Sequence, residues 1–256
     1  MGHMVMPEKI TADTLFMQTS KSESRLSLST AQRLGKMPLF VDFDPYELEE
    51  VALLVSEHEC SKNEVVFREG DKIRALFLIF SGAVCSYRLT ADGKETILSL
   101  FTEKEFFGEM NLMSDTPQTT NVRAMTTGTH LAWIDYQDFA PILERSPRIA
   151  RMIIEVLTQR LNGVNLNISG TFSLDIRARL ANLLLNLSVK FGEKTPDGIR
   201  IHIRFTNAEL ASMIGTTRET INRTLNRFWD EHIIDMKTSN IIIIDPVRLA
   251  ESLNTP

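Results

Sequence analysis

Between His58 and Trp133 the apolar residues come in short runs rich in β-branched and aromatic side chains: EVVFREG, ALFLIFSGAV, ETILSLF and HLAWID. Turn signals separate them, at Glu69-Gly70-Asp71, Ser81-Gly82 and Asp92-Gly93-Lys94. Many short strands at close intervals predict an antiparallel β-roll, a cupin-like double-stranded barrel, over residues 31–146. From about Pro147 the apolar period becomes helical, and no further Pro occurs before Pro196. With Ala150, Leu157 and Val164 as a positions, Ile154, Leu161 and Ile168 fall at d, a heptad seam of nearly three repeats. The spacing predicts a dimerisation helix over residues 147–171, because a helix between two domains has a long face with few intrachain surfaces to cover it. The alternative is an amphipathic helix packed on its own domain.

A second helix follows, with Ser173 as its expected N-cap, Ile176, Leu180, Leu183, Leu184 and Leu187 on one side, and Gly192 at its end. Pro196-Asp197-Gly198 turns the chain into a short strand, IRIHIRF. Thr206 can cap the next helix, which carries Leu210, Met213 and Ile214 and is closed by Gly215. Thr216 or Thr217 then caps a helix whose Ile221, Leu225 and Phe228 repeat at helical spacing and face inward. Two short helices about a glycine predict a helix-turn-helix. Beyond it, Ile233-Ile234, a Thr238-Ser239-Asn240 turn and Ile241 to Ile244 read as a β-hairpin wing. Residues 172–256 are therefore expected to form a winged helix, giving an α+β chain of two folded parts.

The 256 residues, 43% of them apolar, suffice for two cores. No run is long enough for a membrane helix and the N-terminus lacks a signal-peptide layout, so a cytoplasmic protein without a membrane partner is expected. Two cysteines, Cys60 and Cys85, are too few for a disulfide framework or a four-cysteine cluster, and no cofactor is called for. Met1-Gly2-His3-Met4 reads as a cloning remnant, and residues 1–30 as an arm without a sustained apolar period. A formal charge of −5 argues against nonspecific coating of nucleic acid. Yet the stretch from Arg200 to Arg227 holds five arginines against Glu209 and Glu219, net +3 in an acidic chain.

That local charge gives meaning to Arg218, Glu219, Asn222 and Arg223. Arg218 and Asn222 are one helical turn apart, as are Glu219 and Arg223, so all four project from the N-terminal half of the second helix. In a helix-turn-helix that half enters the major groove of double-stranded DNA. Arginine matches the two acceptors on a guanine edge, and glutamate accepts from a cytosine amino group. Asn222 and Thr217 would assist or hold phosphate. Alone, the RETINR segment could equally be a solvated face laced by ion pairs; the basic surroundings and the wing favour DNA.

From about Leu39 to Leu253 the chain resembles the Crp/Fnr family of transcription regulators. Gly70, Gly82, Gly93 and Gly108 match the glycine pattern of its cyclic-nucleotide-binding-type domain, FFGEMNL matches the opening of its phosphate cassette, and Arg218, Glu219 and Arg223 match its recognition-helix signature. The resemblance implies a bacterial homodimer on an inverted repeat of TGTGA-like half-sites, an effector bound at the β-roll near Gly108, Glu109, Gln118 and Thr119, and contact with RNA polymerase in an activator. In cAMP-responsive members an arginine follows the cassette proline; here Pro117 is followed by Gln118. A neutral glutamine cannot supply arginine's charge-assisted bidentate grip on phosphate, so cAMP is not the expected effector, and Glu109 reads as a structural residue. His58 and Cys60, at i and i+2, would share a strand face that could bind a metal or haem; a buried thiol beside a surface histidine is the plainer reading. Rival functions are a sensor that regulates a protein partner and a constitutive, effector-independent regulator. An enzyme finds no support: the sequence lacks GxSxG, HExxH and a phosphate-cradling glycine loop.

Overall fold

The computed structural model describes residues 25–112, 114, 116–173, 175–236 and 240–253, without the side chains of 25–29 and 163–173. The described chain forms two compact units, one holding residues up to Arg88 with Ser99–Glu155, the other Leu89–Leu98 with everything from Val156 on. Each has its own core.

The first unit opens with helix α1 (Arg25–Leu34), so the expected arm of residues 1–30 ends in helix rather than running unstructured to its last residue. Its anchors are tertiary. Arg33 donates to both carboxylate oxygens of Glu57 at 3.1 and 2.8 Å, the Thr30 hydroxyl donates to the same carboxylate, and Leu34 is fully buried. Helix α2 (Pro45–Ala52) starts on a capping box between Asp44 and Glu47, with Pro45 at its first position, where a missing N–H costs nothing.

Eight antiparallel strands then form two four-stranded sheets. One is ordered β1 (Ser56–Cys60), β8 (Thr129–Asp135), β3 (Ala75–Ser81), β6 (Phe106–Phe107). The other runs β2 (Val65–Phe67), β7 (Asn121–Ala124), β4 (Ala83–Leu89), β5 (Glu95–Thr102). This is the predicted β-roll. Its core is aromatic: Phe77 stacks on Phe107 with ring centroids 4.9 Å apart, Phe67 and Phe101 tilt against Phe107, and Trp133 lies against Phe77. Helix α3 (Tyr136–Arg145) follows with Phe139 and Ile142 buried.

Helix α4 (Pro147–Ser173) is a single run of 27 residues, as the change of period predicted. On it Ile154 and Leu161 are each 62% exposed and Leu157 37%, an apolar stripe on the outside of the chain. Val164 and Ile168 lie where side chains are not described.

In the second unit helix α5 (Ile176–Phe191) is capped by Asp175, whose carboxylate accepts from the Ala178 amide at 2.7 Å. Ser173 is not the cap, because α4 continues through it. Leu180, Leu184, Leu187 and Phe191 form the buried side of α5, while Ile176 and Leu183 are half-buried. Gly192 ends the helix in extended conformation and begins β9 (Gly192–Thr195), which pairs with β10 (Gly198–Ile201). Helices α6 (Asn207–Ile214) and α7 (Arg218–Asp230) come next, then β11 (Ile234–Asp235) and β12 (Ile242–Ile243). The sheet order is β11, β12, β10, β9, and α8 (Pro246–Glu251) closes the unit. Thr238 and Ser239 of the expected wing turn lie outside the described residues. A bidentate ion pair from Arg177 to Glu231, at 2.9 and 2.5 Å, ties the start of α5 to the end of α7, with the same guanidinium over the Phe228 ring. Trp229, beside it on α7, is half-exposed. Among the described residues no helix is long and apolar enough to cross a membrane.

Candidate nucleic-acid interface and sensor cassette

The helix-turn-helix is fixed by its caps. Thr206 accepts from the Glu209 amide at 3.1 Å while the Glu209 carboxylate accepts from the Thr206 amide at 2.8 Å, so α6 starts on a complete capping box. Gly215, at φ 66°, takes the left-handed conformation that ends α6 and redirects the chain. Thr217 then accepts from the Thr220 amide at 3.2 Å and caps α7. It is Thr217, not Thr216, that fills this role, and Thr216 is buried.

These caps set the rotation of α7. Ile221, Thr224, Leu225 and Phe228 are buried, which turns Arg218, Glu219, Asn222 and Arg223 outward, all exposed. The four predicted residues thus share the solvent face of the N-terminal half of the helix. Asn207, which the sequence reading missed, donates its side-chain amide to Asn222 Oδ1 at 3.2 Å and orients it. Asn207 looks like any first-turn residue of α6; only the crossing of the two helices gives it a role. The exposed Asn226 and Arg227 extend the same polar surface one turn further. Chemically the four predicted residues offer two guanidinium forks, one carboxylate acceptor and one amide, the groups that pair with base edges and phosphates.

In the β-roll, Gly108 has φ 89° and opens the short 3₁₀ turn Glu109–Asn111; a Cβ there would meet the Ala75 carbonyl oxygen at 2.5 Å. Glu109 is buried at 8% exposure. The Asn111 amide donates to the carbonyls of Thr116 at 3.0 Å and Pro117 at 3.2 Å, joining the turn to the Pro117-Gln118-Thr119 segment. Gln118 is 5% exposed and points inward: its amide nitrogen donates to the Ile73 carbonyl at 3.0 Å, while its backbone pairs with Gly70 and Asp71. Thr119 is exposed. The cassette is folded around its own hydrogen bonds, and Gln118 contributes to it a neutral amide turned toward Ile73.

A β-roll unit joined through a long helix to a winged helix-turn-helix defines the two-part architecture of a class of transcription regulators. The comparisons agree unit by unit. Residues 57–146 match the family described as "Cyclic nucleotide-binding domain", and residues 178–252 match "Crp-like helix-turn-helix domain". The chain is 26% identical over 217 residues to the "CRP-like cAMP-activated global transcriptional regulator" of Mycobacterium tuberculosis, covering 85% of this chain and 96% of that one. It is 29% identical over 187 residues to the "cAMP-activated global transcriptional regulator CRP" of Pasteurella multocida, covering 73% and 88%. Among solved structures, the "c-di-GMP Responsive Global Regulator CLP" of Xanthomonas campestris superposes with a TM-score of 0.67 at 26% identity, covering 78% and 99%. The chain belongs to the Crp/Fnr family of transcription regulators.

Proposed function

We propose that the protein is a cytoplasmic homodimer that reads an inverted repeat of TGTGA-like half-sites in double-stranded DNA. The observation that carries this reading is the capped N-terminal half of α7, with Arg218, Glu219, Asn222 and Arg223 together on its exposed face. Arg218 and Arg223 take guanine edges or phosphates, Glu219 accepts from a cytosine, and Thr217 and Asn222 hold the backbone or assist. Dimerisation runs through α4, where Ile154, Leu157 and Leu161 are exposed and Val164 and Ile168 continue the same heptad. Two-fold symmetry then puts half-site centres about 34 Å apart, one turn of DNA.

The effector follows different chemistry from that named for the relatives. With Gln118 neutral and its amide committed to Ile73, the cassette lacks a cation for a cyclic phosphate, which supports control by something other than cAMP. The test of the DNA reading is selection from random duplexes with the full-length chain. A two-fold symmetric site containing TGTGA-like halves is expected; recovery of asymmetric or unrelated sequences would reject it.

A further inference from the structure

We propose that His58, Cys60 and Glu64 form a site for one zinc-class divalent cation in the β-roll, built from residues other than those of the cassette.

His58 and Cys60 are i and i+2 on β1 and share a face, as the strand period requires. The third donor comes from the turn after β1. Glu64 reaches back so that its Oε1 lies 2.6 Å from His58 Nε2, and one ligand atom from each of the three residues falls within 4.8 Å of the others. The second carboxylate oxygen accepts from the Ser61 amide at 2.8 Å, an outer contact of the kind that orients metal-binding carboxylates. Tetrahedral zinc, with bonds of about 2.0 to 2.3 Å to nitrogen, oxygen and sulfur, spaces its donors roughly 3.3 to 3.7 Å apart, so binding replaces the His58–Glu64 hydrogen bond and parts those two atoms by less than about 1 Å.

The surroundings favour a cation over the alternatives. Beside the donors is a cavity of about 20 Å³, walled by Val66, Phe77, Leu131 and Trp133. That is room for a single water-sized species and far too little for haem or an organic effector. One thiolate and one carboxylate cancel a divalent charge, so the loaded site is neutral against its apolar wall. The mixed sulfur, nitrogen and oxygen set suits zinc rather than magnesium or calcium, which take oxygen alone. Cys60 is almost fully buried, whereas the side chains of His58 and Glu64 are 38% and 28% exposed, so the ion has a way in from solvent. On binding, the sulfur–metal bond forms as the Cys60 thiol proton passes to solvent, with no change of oxidation state.

The full-length chain, reduced and free of chelator, is titrated with Co²⁺ as a spectroscopic substitute for zinc. One Co²⁺ per chain with a thiolate-to-cobalt charge-transfer band, bleached by added zinc, is expected. Cys60→Ser removes the band, while Cys85→Ser and His3→Ala leave it intact. His58→Gln, at a partly exposed position that tolerates the change even if the Cys60 variant misfolds, lowers cobalt affinity more than about 100-fold, since losing even an outer-shell partner costs about 10- to 100-fold. Absence of the band in the wild type, or its survival in a folded Cys60→Ser chain or in His58→Gln at unchanged affinity, overturns the proposal. DNA selection is unaffected by that failure, so the two readings stand or fall separately.

Discussion

Arg218 and Asn222 stand one turn apart on the same face of α7, yet their surroundings differ. Arg218 is exposed in the first turn, whereas Asn222 is held by Asn207. A freely reaching guanidinium suits base readout. Arg218→Ala should therefore cost about 1 to 3 kcal/mol on the selected site and relax preference at one guanine, read by fluorescence anisotropy against a panel of single-base variants. An equal loss on every sequence would make Arg218 a phosphate contact instead. Gln118 shows the opposite economy, a polar side chain turned wholly inward. Calorimetry on the wild type should show no tight cAMP binding. Gln118→Arg should lose the bond to Ile73, worth about 1 kcal/mol, and lower the thermal midpoint whether or not it gains nucleotide. Tight wild-type binding of cAMP would mean that another residue supplies the charge.

At the scale of elements, the helix ends separate what a sequence shows from what it hides. Thr206, Gly215 and Thr217 act within a few residues of themselves, and the helix-turn-helix was legible from them. The start of α5 was not: Ser173 and Asp175 are both good caps, and the choice depends on how far α4 continues. Helix α1 escaped because its stabilisation comes from Glu57 on a distant strand rather than from its own period. The end of α7 is similarly long-range. The hydrogen bond from Arg177 holds the Glu231 carboxyl below its ordinary 4.5 against partial burial, with the charges of Arg177, Arg248 and Arg227 adding to the effect. A lowered folded value means that the pair stabilises fully above that ordinary value and loses its contribution as pH falls through the folded one. Glu231→Gln should thus lower the thermal midpoint at about pH 7, and the gap to the wild type should narrow as pH falls below 4.5 through the lowered folded value, where the wild-type carboxyl takes up its proton. On α4, Leu157→Glu should break dimerisation, seen as halved mass in sedimentation, since each large aliphatic removed from water contributes on the order of 1.5 to 3 kcal/mol and a buried charge reverses that gain. An unchanged mass would place the dimer contact elsewhere.

For the whole molecule, a formal charge of −5 set against a net +3 over Arg200–Arg227 favours a local rather than a general attraction to DNA. If folding and association are coupled through α4, the melting temperature should climb with protein concentration in the wild type and stay flat in Leu157→Glu, as scanning calorimetry over a hundredfold range of concentration would reveal. The start of α4 was readable because the apolar period changes from strand-like to helical near Pro147. The β1 donor cluster was only half readable: His58 and Cys60 announce themselves by spacing, while Glu64 joins them through a turn whose path no local pattern fixes. The two tryptophans also fall one to each unit, Trp133 buried in the β-roll at 7% exposure and Trp229 on α7 at 47%. Their emission should consequently separate by colour, blue-shifted from the first and red-shifted from the second. Trp229→Phe leaves a chain whose light reports the β-roll alone, and Trp133→Phe one that reports the recognition helix, so a single optical titration can assign each event to the unit in which it occurs.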